Sequence, residues 1–127
     1  MNKKTVVAGL IVGRHSLPVT EYIFDRTIND VFDYPYIKKV VDNFLESHFD
    51  IDWVPVDGDG YMGDTFKIEE GNQLILYVTG LTCATAQVIA SCFVRGIEVK
   101  LMHYNMATNT FVPQLLTPPM VTHNAEW

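Results

Sequence analysis

The sequence predicts an α/β fold, a small and mostly parallel sheet with helices on its faces and a C-terminal hairpin. Three observations carry this. Thr5–Gly13 (TVVAGLIVG) and Leu74–Val78 (LILYV) are continuous apolar runs of strand length, as strands covered on both faces would be. Two helical patterns, one following each of these runs, supply crossovers of the kind that parallel strands need. Ile97–His103 (IEVKLMH) then alternates apolar and polar residues as a half-covered strand does.

Taken in order, the Thr5–Gly13 strand stops at Arg14-His15-Ser16-Leu17-Pro18, because Pro18 cannot continue a regular ladder. Val19–Phe32 has β-branched and aromatic residues without a clean period, and its class stays open. From Tyr36, the residues Ile37, Val40, Val41, Phe44, Leu45 and Phe49 recur at helical spacing, with Lys38, Lys39, Asp42, Asn43 and Glu46 on the opposite face. Ile51–Pro55 and Thr65–Ile68 are short strand candidates. Asp57–Asp64 (DGDGYMGD) between them has the composition of a calcium loop. An EF-hand would need Gly at its sixth position and Glu at its twelfth, where this chain has Met62 and Ile68, so it reads as a surface loop.

Glu69–Asn72 is a turn before the Leu74 strand, and Thr79-Gly80-Leu81-Thr82 a turn after it. Ala84–Val94 is apolar on nearly every side, which predicts a helix buried within the domain or against another subunit. Gly96 is its C-terminal stop. Asn105–Asn109 is turn chemistry, Thr110–Val112 pairs back as a hairpin, and Pro118-Pro119 ends regular structure. Residues 1–116 thus form a single domain, with 117–127 as a C-terminal tail.

Composition narrows the function. The chain has 127 residues, 48% hydrophobic and 19% charged, with a formal charge of −6. That balance gives a globular core and argues against binding long nucleic acid, while leaving room for one small anion held by local donors. Cys83 and Cys92 would lie about 13 Å apart along one helix, too far for a disulfide, and read as thiols in a reducing compartment. No run reaches the roughly 20 apolar residues of a membrane span, and a cytoplasmic protein is expected.

Three polar clusters follow strand candidates: Arg14-His15-Ser16, Thr79-Gly80-Leu81-Thr82 and His103-Tyr104-Asn105. If those strands are parallel, the clusters share the sheet edge at which open α/β sheets bind ligands. Arg14 suits phosphate, the Thr79 and Thr82 hydroxyls and the N–H groups after Gly80 suit phosphate or ribose oxygens, and His15 and His103 can donate or move a proton. Tyr104 and Trp53 can stack on a base. The plainer reading makes Thr82 a helix N-cap and Gly80 a tight turn. The sequence has no P-loop, GxGxxG, HExxH, CxxC or GxSxG motif, and neither a metal nor a cofactor is expected.

The layout of these residues resembles the small Rossmann-like proteins of the CRISPR-associated cyclic-oligonucleotide system, of the ring-nuclease type. The likeness lies in Arg14-His15-Ser16-Leu17-Pro18 after the first strand and in the strand-turn-helix Leu76-Tyr77-Val78-Thr79-Gly80-Leu81-Thr82. The run YVTGLT followed by HYN is also similar to phage counter-defence proteins, anti-Thoeris sponges among them, that sequester cyclic nucleotide or cyclic ADP-ribose messengers. The resemblance extends from Val7 to Gln114. An arginine would be welcome after Asn105 to pair a second phosphate, where this chain has Met106 and Ala107. The resemblance implies a homo-oligomer in the bacterial host cytoplasm that binds and sequesters such a messenger. The alternative is a metal-independent ring nuclease in which Arg14 stabilises charge, His15 or His103 moves the proton and the Thr79–Thr82 turn holds phosphate.

Overall fold

The computed structural model describes residues 4–13, 16–50, 52–55, 64–67 and 71–119. Its elements run β1 (Thr5–Ile11), β2 (Tyr22–Phe24), α1 (Tyr34–His48), β3 (Asp52–Pro55), β4 (Asp64–Lys67), β5 (Gln73–Tyr77), α2 (Thr82–Val94), β6 (Glu98–Asn105) and β7 (Thr110–Leu116). The main sheet has the order β2-β1-β5-β6-β7, parallel throughout except for β7, which pairs antiparallel with β6. The α/β class, the mostly parallel sheet and the C-terminal hairpin are as the sequence predicts. β3 and β4 pair with each other in a separate two-stranded sheet. Of the predicted Asp57–Asp64 loop, Asp64 begins β4 and the rest lies outside the described residues.

Handedness decides where the helices go. The β2→β5 and β5→β6 connections step across the sheet in the same direction, and right-handed crossovers in one direction lie on one face. Accordingly α1 and α2 pack on each other and share one core with the inward residues Val6, Ala8, Leu10, Leu74, Leu76, Val99 and Leu101. The expectation of helices on both faces is therefore corrected to one face, and the other side of β1 is covered only in part: Val7 is 42% exposed, while Gly9 and Ile11 are buried. The β1→β2 link steps the other way and crosses the open face. There Leu17 and the Tyr22 ring lie over Gly9, where an added Cβ would meet Tyr22 ring carbons at 2.6 and 2.7 Å and Leu17 Cδ1 at 3.2 Å.

α1 buries Ile37, Val41 and Leu45 and is capped by Asp33, whose carboxylate accepts from the Tyr36 N–H at 3.3 Å. At its other end His48 stacks on Phe44 and bridges to Glu21 at 2.9 Å. α2 buries Ala84, Val88, Ser91 and Cys92, but Ala86 and Ala90 are exposed and Val94 is 55% exposed, so among the described residues only one of its sides is covered. Arg95, at the end of α2 and 7% exposed, ties the helices together. It donates to the Ser91 carbonyl at 3.0 Å and to Glu46 Oε2 at 2.6 Å, and sits 3.2 Å from Asp42 Oδ1. Burial alone pushes the Asp42 carboxyl up. Hydrogen bonds from Lys38 and Ser91 and the charges of Arg95 and Lys38 outweigh it and hold the group below its ordinary value.

Candidate functional site

The parallel strands β1, β5 and β6 are neighbours, so their carboxyl ends share one edge of the sheet, near which the described cluster residues Ser16, Thr79–Thr82 and His103–Asn105 follow. Two of the chain turns there use a left-handed glycine, Gly13 at φ 90° and Gly80 at φ 95°. Strand pleat then separates what the sequence groups together. β6 does not stop at His103; it runs to Asn105, and His103 pairs with Val112 while Tyr104 pairs with Phe111. Successive residues of a strand point to opposite faces. His103 therefore lies on the helix side and Tyr104 on the open side, and the candidate residues divide between two clefts.

The larger cleft, of about 570 Å³, lies on the open side and is lined by Ser16, Leu17, Tyr104, Met106, Asn109 and Phe111. Its walls are aromatic. Tyr104 and Phe111 have ring centroids 5.3 Å apart, and Tyr77 stands edge-on to Phe111 at 4.9 Å. The Tyr104 hydroxyl donates to Asn109 Oδ1, which fixes the ring against the β6–β7 turn. Asn109 holds that turn in the left-handed region at φ 58°, and its N–H bonds the Asn105 carbonyl at 2.8 Å. Tyr104 is 48% exposed and Met106 84%, so a ligand can reach the rings.

The second cleft, of about 310 Å³, lies between α2 and the sheet and is lined by Val78, Gly80, Thr82, Thr85, Ala86, Ile89 and His103. His103 Nε2 is 2.8 Å from Gln114 Oε1, to which it donates across the hairpin. The expected N-cap is corrected here: Leu81 occupies the cap position with no side-chain hydrogen bond, and Thr82 is the first helical residue. With no acidic residue in the first turn, the leading N–H groups of α2 have no acceptor among the described residues, which leaves a partial positive charge for an anion. A smaller cavity on the far side of the same turn, of about 120 Å³, includes Leu81 and Cys83 among its lining.

The predicted residues thus fall as follows. Ser16 and Tyr104 share the aromatic cleft; Gly80, Thr82 and His103 share the helix-side cleft. Thr79 is buried, and its hydroxyl has no hydrogen-bond partner among the described residues. Asn105 is a turn residue, its Oδ1 accepting from the Ala107 N–H at 2.9 Å. Arg14 and His15 lie outside the described residues. Trp53 stands on β3, in the separate small sheet. The sequence reading missed Leu17, Met106, Asn109 and Phe111. The signal for Phe111 was present, because a tight hairpin that turns at Asn105–Asn109 sets it beside Tyr104. Cys92 is an inert core thiol whose pKa burial pushes up to about 12, against a smaller opposing effect of Arg95.

Among the described residues no cluster of His, Cys, Asp or Glu has the arrangement to hold a metal ion, and no helix is long and apolar enough to cross a membrane. Comparison with protein-family models, curated proteins and solved structures finds no match for this chain.

Proposed function

We propose that this protein binds and sequesters a cyclic or phosphate-bridged nucleotide messenger, acting as a phage counter-defence sponge in the cytoplasm of a bacterial host. The observation that carries the reading is the aromatic cleft at the carboxyl edge of the parallel strands, where Tyr104 and Phe111 offer ring surfaces beside the Ser16 hydroxyl and the Asn109 amide. Its volume of about 570 Å³ falls within the range of small-molecule sites. Stacking of a base on such rings is worth about 1–3 kcal/mol. The uncapped start of α2 lies at the same edge and supplies N–H donors for a phosphate. This suits a chain of charge −6, because the donors are backbone dipoles and hydroxyls rather than a broad basic surface.

The test is calorimetry against cyclic dinucleotides, cyclic oligoadenylates and cyclic ADP-ribose isomers, followed by release of the ligand on heating. Recovery of intact messenger is expected, and no binding to any member refutes the reading. A second reading, cleavage by a ring nuclease, draws on one observation: Ser16 lines the aromatic cleft and His15 precedes it in the chain. In-line attack by a ribose 2′-hydroxyl needs alignment and a group to move the proton, but no metal. Chromatography of incubated messenger separates the two readings. Linear products that vanish in His15→Ala assign cleavage.

A further inference from the structure

Among the described residues, the face of the sheet opposite the helices is apolar, covered over Gly9 by Leu17 and Tyr22 and otherwise open. Outward from it stand Val7 on β1, Ile75 and Tyr77 on β5, Met102 and Tyr104 on β6, and Leu115 on β7. Val7 is 42% exposed, Tyr104 48% and Leu115 54%. Charge is sparse here. On these four strands the face carries one cation, Lys100, and one anion, Glu98, in a chain of net charge −6. Two copies of an acidic chain repel over most of their surfaces, but this face is neutral, so two copies can approach through it. Four strands about 4.8 Å apart and about 20 Å long span a plane of roughly 400 Å². Their ridged side chains bring its accessible area near the ~600 Å² per partner at the lower end of stable interfaces.

We infer that this face seats a second copy of the chain, packed sheet on sheet about a twofold axis that runs along the strands between β5 and β6. That axis keeps the full strand length in contact. The register fixes the partners: Val7 of one copy meets Leu115 of the other, Ile75 meets the stem of Lys100, Tyr77 meets Met102, and Gln73 meets Glu98. Each pair occurs twice, as a closed twofold interface requires. Tyr104 and Phe111 stand at the upper end of the same face, so the second copy supplies an outer wall to the aromatic cleft. The pairing stands on the face itself; only this consequence for the cleft rests on the nucleotide reading.

Sedimentation velocity from micromolar to millimolar concentration reads the pairing without any ligand. The wild-type chain sediments as a dimer. Val7→Lys and Leu115→Glu each set a charge against an apolar partner and convert it to monomer, whereas Val94→Glu on the exposed side of α2 leaves the dimer intact. Mixing the Val7→Lys and Leu115→Glu chains restores a dimer, because one interface pair becomes Lys against Glu and the other stays Val against Leu. A cooperative urea transition in each of the two monomeric variants, with the far-ultraviolet circular dichroism of the Val94→Glu chain, shows that they remain folded; their midpoints fall below that of the dimer because association no longer stabilises them. A wild-type monomer throughout, a dimer lost only in Val94→Glu, or no recovery on mixing overturns the inference. A dimer that binds no nucleotide leaves the inference standing and removes the nucleotide reading alone.

Discussion

Replacing Arg95 by Met tests whether the ion cluster between the helices stabilises the fold or merely breaks even. Met keeps most of the apolar stem and removes the guanidinium, so packing loss is small. Three interactions go. The bond to the Ser91 carbonyl is buried and charge-assisted, worth about 1–2 kcal/mol. The bridge to Glu46 involves a side chain 48% exposed, and solvent screening limits it to below ~1 kcal/mol. The pairing with Asp42, 17% exposed, contributes about 1 kcal/mol more, because Lys38 remains at 2.6 Å to hold that carboxylate. Against these stands the recovered cost of burying a guanidinium whose Nε has no partner among the described residues. The expected net loss is about 2–3 kcal/mol, or a fall in Tm of roughly 10 °C for a chain of this size. Urea unfolding followed by circular dichroism measures it, and an unchanged m-value verifies that the same surface is exposed. A double-mutant cycle with Asp42→Asn should return a coupling of about 1 kcal/mol. A loss below ~0.5 kcal/mol would mean that desolvation cancels the attraction, and the cluster would then be no stabilising link.

Other outcomes follow from the same geometry. The Asp42 carboxyl is held below its ordinary value, so its share of stability is fully present above the unfolded value of about 3.9 and is lost as pH falls through the lower folded value; acid unfolding of Asp42→Asn should be less steep below about pH 4, and an identical profile refutes the assignment. Gly9→Ala places a methyl inside the Tyr22 ring contact and should cost about 1–3 kcal/mol in urea, unless Tyr22 swings out freely. Tyr104→Ala removes a stacking surface and should weaken messenger binding by about 5- to 150-fold in calorimetry with little change in Tm, since the ring is half exposed.

Much of the architecture was legible because hydrophobic period reports it directly. Ile37, Val41 and Leu45 sit on one helical stripe and are the residues α1 buries. Of the run Leu74–Val78, all but Val78 lie in β5, and Glu98–Leu101 alternates as predicted. Tyr22–Phe24 was not legible, since three residues carry no period, and the strand exists by pairing with β1 at Gly9 and Ile11. The single-sided covering was hidden for a different reason. It depends on the order of strands across the sheet, and no local pattern encodes that order. The site was half legible. The shared edge was right, but grouping His103 with Tyr104 assumed a loop where β6 continues, and one residue of continued strand sends neighbouring side chains to opposite faces.

The position of β1 has a consequence for how the chain reaches this structure. β5, α2, β6 and β7 are consecutive and make local contacts, so they can assemble as a unit. β1, by contrast, lies between β2 and β5, and the bond from the Lys4 N–H to Asn72 that frames its start spans 68 positions. During synthesis β1 emerges before β5 and must wait, with that edge unpaired, until the strand that completes its ladder has been made. Slow closure of the sheet around β1 is the expected late event in folding. Until then the segment that carries Ser16 and Leu17 to the aromatic cleft has no fixed seat, so binding competence should appear only with that final step and not with the earlier gain of helix.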